Sequence, residues 1–186
     1  MLMLARRLAL IGIACVVNAC SDAEPPPAKA ALRLNVTSLG QCHVTNQSVA
    51  VPNESGIGDL APGLPSSALS SLPNVIDGDD GSVDCAVSPI AAETYEVRLV
   101  LRRGRTFFNV EGIATKGVDT AGAKVSLQSP QTDELHGTNC TLRAHLDNAA
   151  GGAILASFLC DGMVNEQFPG RSCRGEGTFV VDRCGG

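Results

Sequence analysis

Two clusters of side chains in this sequence have the types and spacing that chemistry needs. Asp77, Asp79 and Asp80, with Asp84 close behind, set carboxylates around a Gly-rich turn. Such oxygens can wrap a hard cation such as Ca²⁺. An EF-hand loop would carry a further oxygen ligand where Gly81 stands and a Glu beyond it, and this stretch has neither. Acidic Gly-rich turns also occur simply as solvated turns. The second cluster is basic: Arg98, Arg102, Arg103 and Arg105 crowd one short stretch. Guanidinium groups there can take a carboxylate or phosphate, or can charge a sheet edge against association. Nucleophilic chemistry has little support. There is no G-x-S-x-G elbow and no H-E-x-x-H pair. The three His are His43 beside Cys42, His136 in a polar stretch expected to be a turn, and His145 on the outer side of a strand. All three are expected at the surface.

Composition narrows the classes. The chain has 186 residues, 14 Lys+Arg against 19 Asp+Glu, and a formal charge of −5. That length fits one domain, and a hydrophobic share of 44% is enough for a core. The acidic balance argues against a nucleic-acid partner, which calls for a clustered basic face. An aromatic share of 3% leaves few rings for stacking bases or sugars. Eight Cys point to an oxidising compartment. No C-x-x-C spacing supports zinc.

The first residues are an address. Arg6 and Arg7 precede the uncharged run Leu8–Val17, which has the length of a signal-peptide core and is too short to span a bilayer. Val17-Asn18-Ala19-Cys20 follows. This resembles the lipobox of bacterial lipoproteins. The resemblance implies that the Cys20 thiol receives a diacylglyceryl group, that residues 1–19 are cut away, and that the new amino terminus is acylated. Ser21, in place of an Asp, then implies the outer membrane. Removing residues 1–19 takes two Arg and no acid, leaving 12 basic and 19 acidic residues, net −7. An anionic lipid surface repels such a body, so it is expected to stand off the membrane on its lipid. Residues 20–31 read as the tether, since Pro25-Pro26-Pro27 favours an extended spacer.

With Cys15 removed and Cys20 lipidated, Cys42, Cys85, Cys140, Cys160, Cys173 and Cys184 remain, an even set that implies three disulfides. The elements that carry them read as strands. Leu32, Leu34 and Val36 alternate with polar residues, a similar period of two recurs in Val83–Val87, Tyr95–Leu101, Phe108–Gly112 and Cys140–Leu146, and Ile154, Ala156, Phe158 and Cys160 come next. A turn at Arg103-Gly104 would set Leu99 opposite Phe108, Val97 opposite Val110 and Tyr95 opposite Gly112, where the ring would cover a bare backbone. The same register would oppose Glu96 and Glu111. Symmetric pairing about residues 148–152 sets Cys140 opposite Cys160, close enough to bond. Proximity then suggests Cys173–Cys184, and elimination leaves Cys42–Cys85.

The expected fold is all-β: a single disulfide-stapled antiparallel β-sandwich over residues 32–186, of jelly-roll or immunoglobulin-like topology, with a core of Val, Leu, Ile and Ala and a long loop 52–82. The expected function is a non-enzymatic cell-envelope lipoprotein. It would be a binding or structural module, held to the membrane through its lipid, with an envelope protein or glycan as partner. Two alternatives are a lipid-anchored hydrolase with its site under loop 52–82 and a Ca²⁺-dependent adhesion module using Asp77, Asp79, Asp80 and Asp84.

Overall fold

Leu32, Leu34 and Val36 are buried while Arg33 is exposed, and a similar period of two is clear in strands such as Thr94–Arg103. A computed structural model describes residues 28–38, 42, 44, 46–51, 81–148 and 152–185. Cys20, His43, Asp77, Asp79, Asp80 and most of loop 52–82 lie outside the described residues. The strands are β1 (Lys29–Ser38), β2 (Gln47–Val51), β3 (Gly81–Ala91), β4 (Thr94–Arg103), β5 (Thr106–Lys116), β6 (Thr120–Ser129), β7 (Thr132–Asn148), β8 (Ala153–Asn165) and β9 (Phe168–Asp182).

The all-β, antiparallel expectation holds, but the strands do not divide into two sheets. They form one sheet in the order β2-β1-β9-β8-β7-β6-β5-β4-β3, curled into a half-barrel. Each strand from β3 to β8 pairs with its successor, and β1 then lies against β9. Curling lets one sheet bury its own concave face, so a second sheet is not required. Contacts at both edges of the sheet close the curl. Gln47 on β2 donates from Nε2 to the carbonyl of Gln131 in the β6–β7 turn at 2.9 Å. At the other end the amide of Val87 on β3 donates to the carbonyl of Gly185 beyond β9 at 3.1 Å. Irregular registers within the β6–β7 and β8–β9 pairs help the sheet bend.

The concave face holds the core. As expected, it is mainly Val, Leu, Ile and Ala, and it also holds one three-ring cluster: Phe108 lies 5.3 Å from Phe158 and 6.0 Å from Phe179, ring centre to ring centre. Three of the five Phe are thus spent on one cluster. Phe158 lies opposite Gly177, where an added Cβ would come within 2.8 Å of the ring and 2.4 Å of the Arg33 carbonyl. A ring covering a strand glycine is therefore present here, not at Tyr95 and Gly112. Ala31, Val180 and Leu155 form a second row across β1, β9 and β8 on the opposite face, and all three are buried.

The β4–β5 turn is Gly104-Arg105, so that register is shifted by two from the expected one. Leu101 faces Phe108, Leu99 faces Val110, Val97 faces Gly112 and Tyr95 faces Ala114. The shift removes the Glu96–Glu111 conflict: Glu96 meets Ile113, and Arg98 meets Glu111. In the β7–β8 hairpin, Thr141 pairs with Leu159, which carries Cys140 and Cys160 into the expected contact. Nearer the tip the register slips by one, at a bulge beside His145.

Three disulfides are formed: Cys140–Cys160, Cys42–Cys173 and Cys85–Cys184. The first is the expected pair. The other two replace Cys173–Cys184 and Cys42–Cys85. Cys173 sits within β9 at the register position of Ser38, close to the chain that follows β1, whereas Cys184 lies beyond the far end of β9 beside β3. The length of β9 keeps Cys173 and Cys184 apart. Three disulfides fit an oxidising, non-cytoplasmic compartment.

Candidate binding groove

The β4–β5, β6–β7 and β8–β9 turns all fall at one end of the half-barrel, as the meander requires. On the outer face beside them, strand neighbours line up in a row. Arg102 pairs with Phe107, Phe107 with Gln128, and Glu134 lies on the outer side of β7 next to Leu135. These residues open a hollow of about 410 Å³ between Arg102, Arg105, Thr106, Phe107, Gln128 and Glu134. A second hollow of about 260 Å³ continues from it, bounded by Gln128, Asp133, Glu134, His136, Asn165 and Gln167, with Glu166 at its rim. Gln128 and Glu134 line both, so the two form one groove across β4 to β8.

Hydrogen bonds fix the groove's walls. In the β6–β7 turn, Thr132 Oγ1 accepts from the Ser129 amide at 2.9 Å, and Ser129 Oγ accepts from the amides of Gln131 and Thr132 at 3.2 and 3.1 Å. Both side chains are buried. Asn165, also buried, donates from Nδ2 to the Glu134 carbonyl at 2.9 Å and accepts the Gln167 amide at 2.7 Å. A buried amide with both ends satisfied holds the β8–β9 turn against β7. The Arg102 guanidinium lies 5.2 Å from the Phe107 ring centre, a cation–π contact that sets its direction.

The Arg stretch is thereby divided. Arg102 and Arg105 line the groove. Arg98 lies further along the outer face, opposite Glu111 and 4.0 Å from Asp84. Asp84, expected among Ca²⁺ ligands, is exposed on β3 and has this Arg as its ion-pair partner. No group of three or more metal-ligating side chains is gathered among the described residues.

Both described His sit on strands and are half-buried, so the polar turn expected for His136 is not formed. His136 Nδ1 is 2.9 Å from Ser126 Oγ, and its Nε2 is 3.6 Å from Glu134 Oε1. This is a serine–histidine–acid set built from adjacent strand positions. Ser126 lines neither hollow, so the set offers the groove its imidazole and carboxylate, not its hydroxyl. His145 Nε2 is 2.8 Å from Ser157 Oγ. Burial holds the His145 pKa below its usual value, the Arg143 guanidinium adds to that, and the Asp119 carboxylate opposes it. Arg143 and Asp119 are themselves joined by two hydrogen bonds of 2.8 and 2.7 Å.

Sequence reasoning singled out the Arg stretch but missed Phe107, Gln128, Glu134 and Asn165. For Phe107, Gln128 and Glu134 the only signal was polar or bulky character at outward positions of strands, which many surface residues share; Asn165 is buried at the end of β8. Comparison with protein-family models, with curated proteins and with solved structures finds no match.

Proposed function

We propose that the chain is a lipid-anchored cell-envelope module that binds a polar ligand in this groove. The observation that carries the reading is the continuous groove walled by fixed turns, where Arg, Gln, Asn and Glu side chains converge. A concave site with several converging polar groups is the usual form of a binding site. Its position supports the same reading. β1 begins beside the end of β9, where Lys29 pairs with Asp182, and the groove's turns lie at the other end of the strands. A ten-residue strand is about 33 Å long at about 3.3 Å per residue. A lipid on Cys20 would therefore hold the groove well clear of the bilayer, open to an envelope partner.

The test uses the processed chain from residue 20 onward, exported so that disulfides form and carrying Cys20→Ser to stay in solution. It is titrated with soluble peptidoglycan fragments, which present both sugars and peptides, while backbone amide NMR shifts are followed. The reading expects shifts concentrated at Gly104, Gln128, Glu134 and Gln167. No shifts, or shifts confined to the opposite turns at Glu93, Gly117 and Gly152, would overturn it.

A further inference from the structure

We infer that the groove is bipolar and takes a short, extended peptide with both ends free. This rests on the reading of the groove as a binding site and names the ligand's class. The two ends of the groove carry opposite charge. Arg102 and Arg105 stand at one end, and neither makes an ion pair with a described residue. Glu166 stands at the other, and Glu134, which lines both hollows, lies between. Glu166 has no ion pair among the described residues, and Glu134 has one, with His136. Arg143 and Asp119, and Arg174 and Glu176, pair directly elsewhere on this surface. Among the described residues, no ion pair joins Arg102 or Arg105 to Glu134 or Glu166.

The separation has a length. Arg102 on β4 and Glu134 on β7 have β5 and β6 between them. Three strand spacings of about 4.8 Å give about 14 Å, and one more strand toward Glu166 gives about 19 Å. An extended peptide covers at most about 3.3–3.6 Å per residue, so four to six residues span that distance. Its terminal carboxylate would meet the guanidinium pair, which offers forked donors. Its terminal ammonium would meet the carboxylates. Between them, the Gln128 amide offers both a donor and an acceptor, the two groups a peptide backbone presents. A neutral glycan uses neither end, and a polyanion meets like charge at the acidic one.

Calorimetry of the processed Cys20→Ser chain with penta-alanine tests this at low salt, where exposed charge pairs act most strongly. The free peptide should bind, and acetylating its amine or amidating its carboxylate should each weaken binding by about two- to fivefold. Arg102→Ala with Arg105→Ala should abolish the penalty for amidation and keep the penalty for acetylation, which a folding defect would not do. Blocked peptides binding as well as the free one would overturn the inference. So would no binding of penta-alanine while peptidoglycan fragments still shift the groove amides, an outcome that leaves the groove reading intact. If neither probe reaches the groove, both fall.

Discussion

His145 shows how a single side chain can couple the fold to pH. Its imidazole is half-buried between Ser157 and the Arg143–Asp119 pair, and burial together with Arg143 disfavours its charged form. In the unfolded chain the same ring takes a proton near pH 6.5. Its folded pKa is lower, so as pH falls through about 6.5 the unfolded state gains protons first. The contribution to stability is therefore full above that range, is lost on acidification toward the folded pKa, and changes no further below it. Chemical denaturation at pH 7.5 and pH 5 should show a smaller acid-induced loss for His145→Gln than for the unaltered protein. An equal loss in the two would refute the assignment. At the core, Phe108 packs against both Phe158 and Phe179 and has no exposed surface. Phe108→Ala should lower the unfolding free energy by about 3–5 kcal/mol, measured by denaturant titration, because it removes a buried ring at the only three-ring contact described. A loss below about 1 kcal/mol would show that the cluster is not the centre of the core.

At the scale of elements, the closure between β9 and β3 is the feature on which the curl depends. Three contacts converge there: the Cys85–Cys184 disulfide, the Val87–Gly185 hydrogen bond and the Cys184 amide donating to the Gly152 carbonyl at 3.0 Å. Gly152 has φ +66°, and a Cβ there would strike the Cys184 backbone. Replacing Cys85 and Cys184 with Ala should cost about 2–5 kcal/mol and speed hydrogen exchange at Val87. Unchanged exchange there would mean that the disulfide does not hold the closure. The strands themselves were legible in the sequence, because alternation such as Tyr95, Val97, Leu99 and Leu101 is a local pattern. The short β2 was not, since Gln47–Val51 carries too few residues to show a period. Cys140–Cys160 was legible because one hairpin fixes it. Cys42–Cys173 and Cys85–Cys184 were not, because they report which distant strands the curl brings together, and nearness in sequence misleads when β9 separates Cys173 from Cys184. The groove was hidden for the same reason. Arg102, Phe107, Gln128, Glu134 and Asn165 come from five successive strands, and only the pairing registers assemble them.

For the whole molecule, the sheet gives the protein two unlike ends. One end receives the chain from the amino terminus and carries the Cys85–Cys184 closure. The other carries the groove and its fixed turns. If Cys20 is the lipid attachment point, several acyl chains hold the first end to a membrane, each buried CH₂ contributing about 0.8 kcal/mol. In that case the processed chain would carry a net charge of −7, which would keep the body off an anionic surface. Anchor, tether and groove would then form one device: a binding site presented at a distance from the lipid. The proposed anchor would be its foundation. Metabolic labelling with palmitate in a bacterial host tests it most directly. Label is expected on the protein with Cys20 intact and none on Cys20→Ala; label persisting on Cys20→Ala, or absent from the unaltered protein, would rule the anchor out.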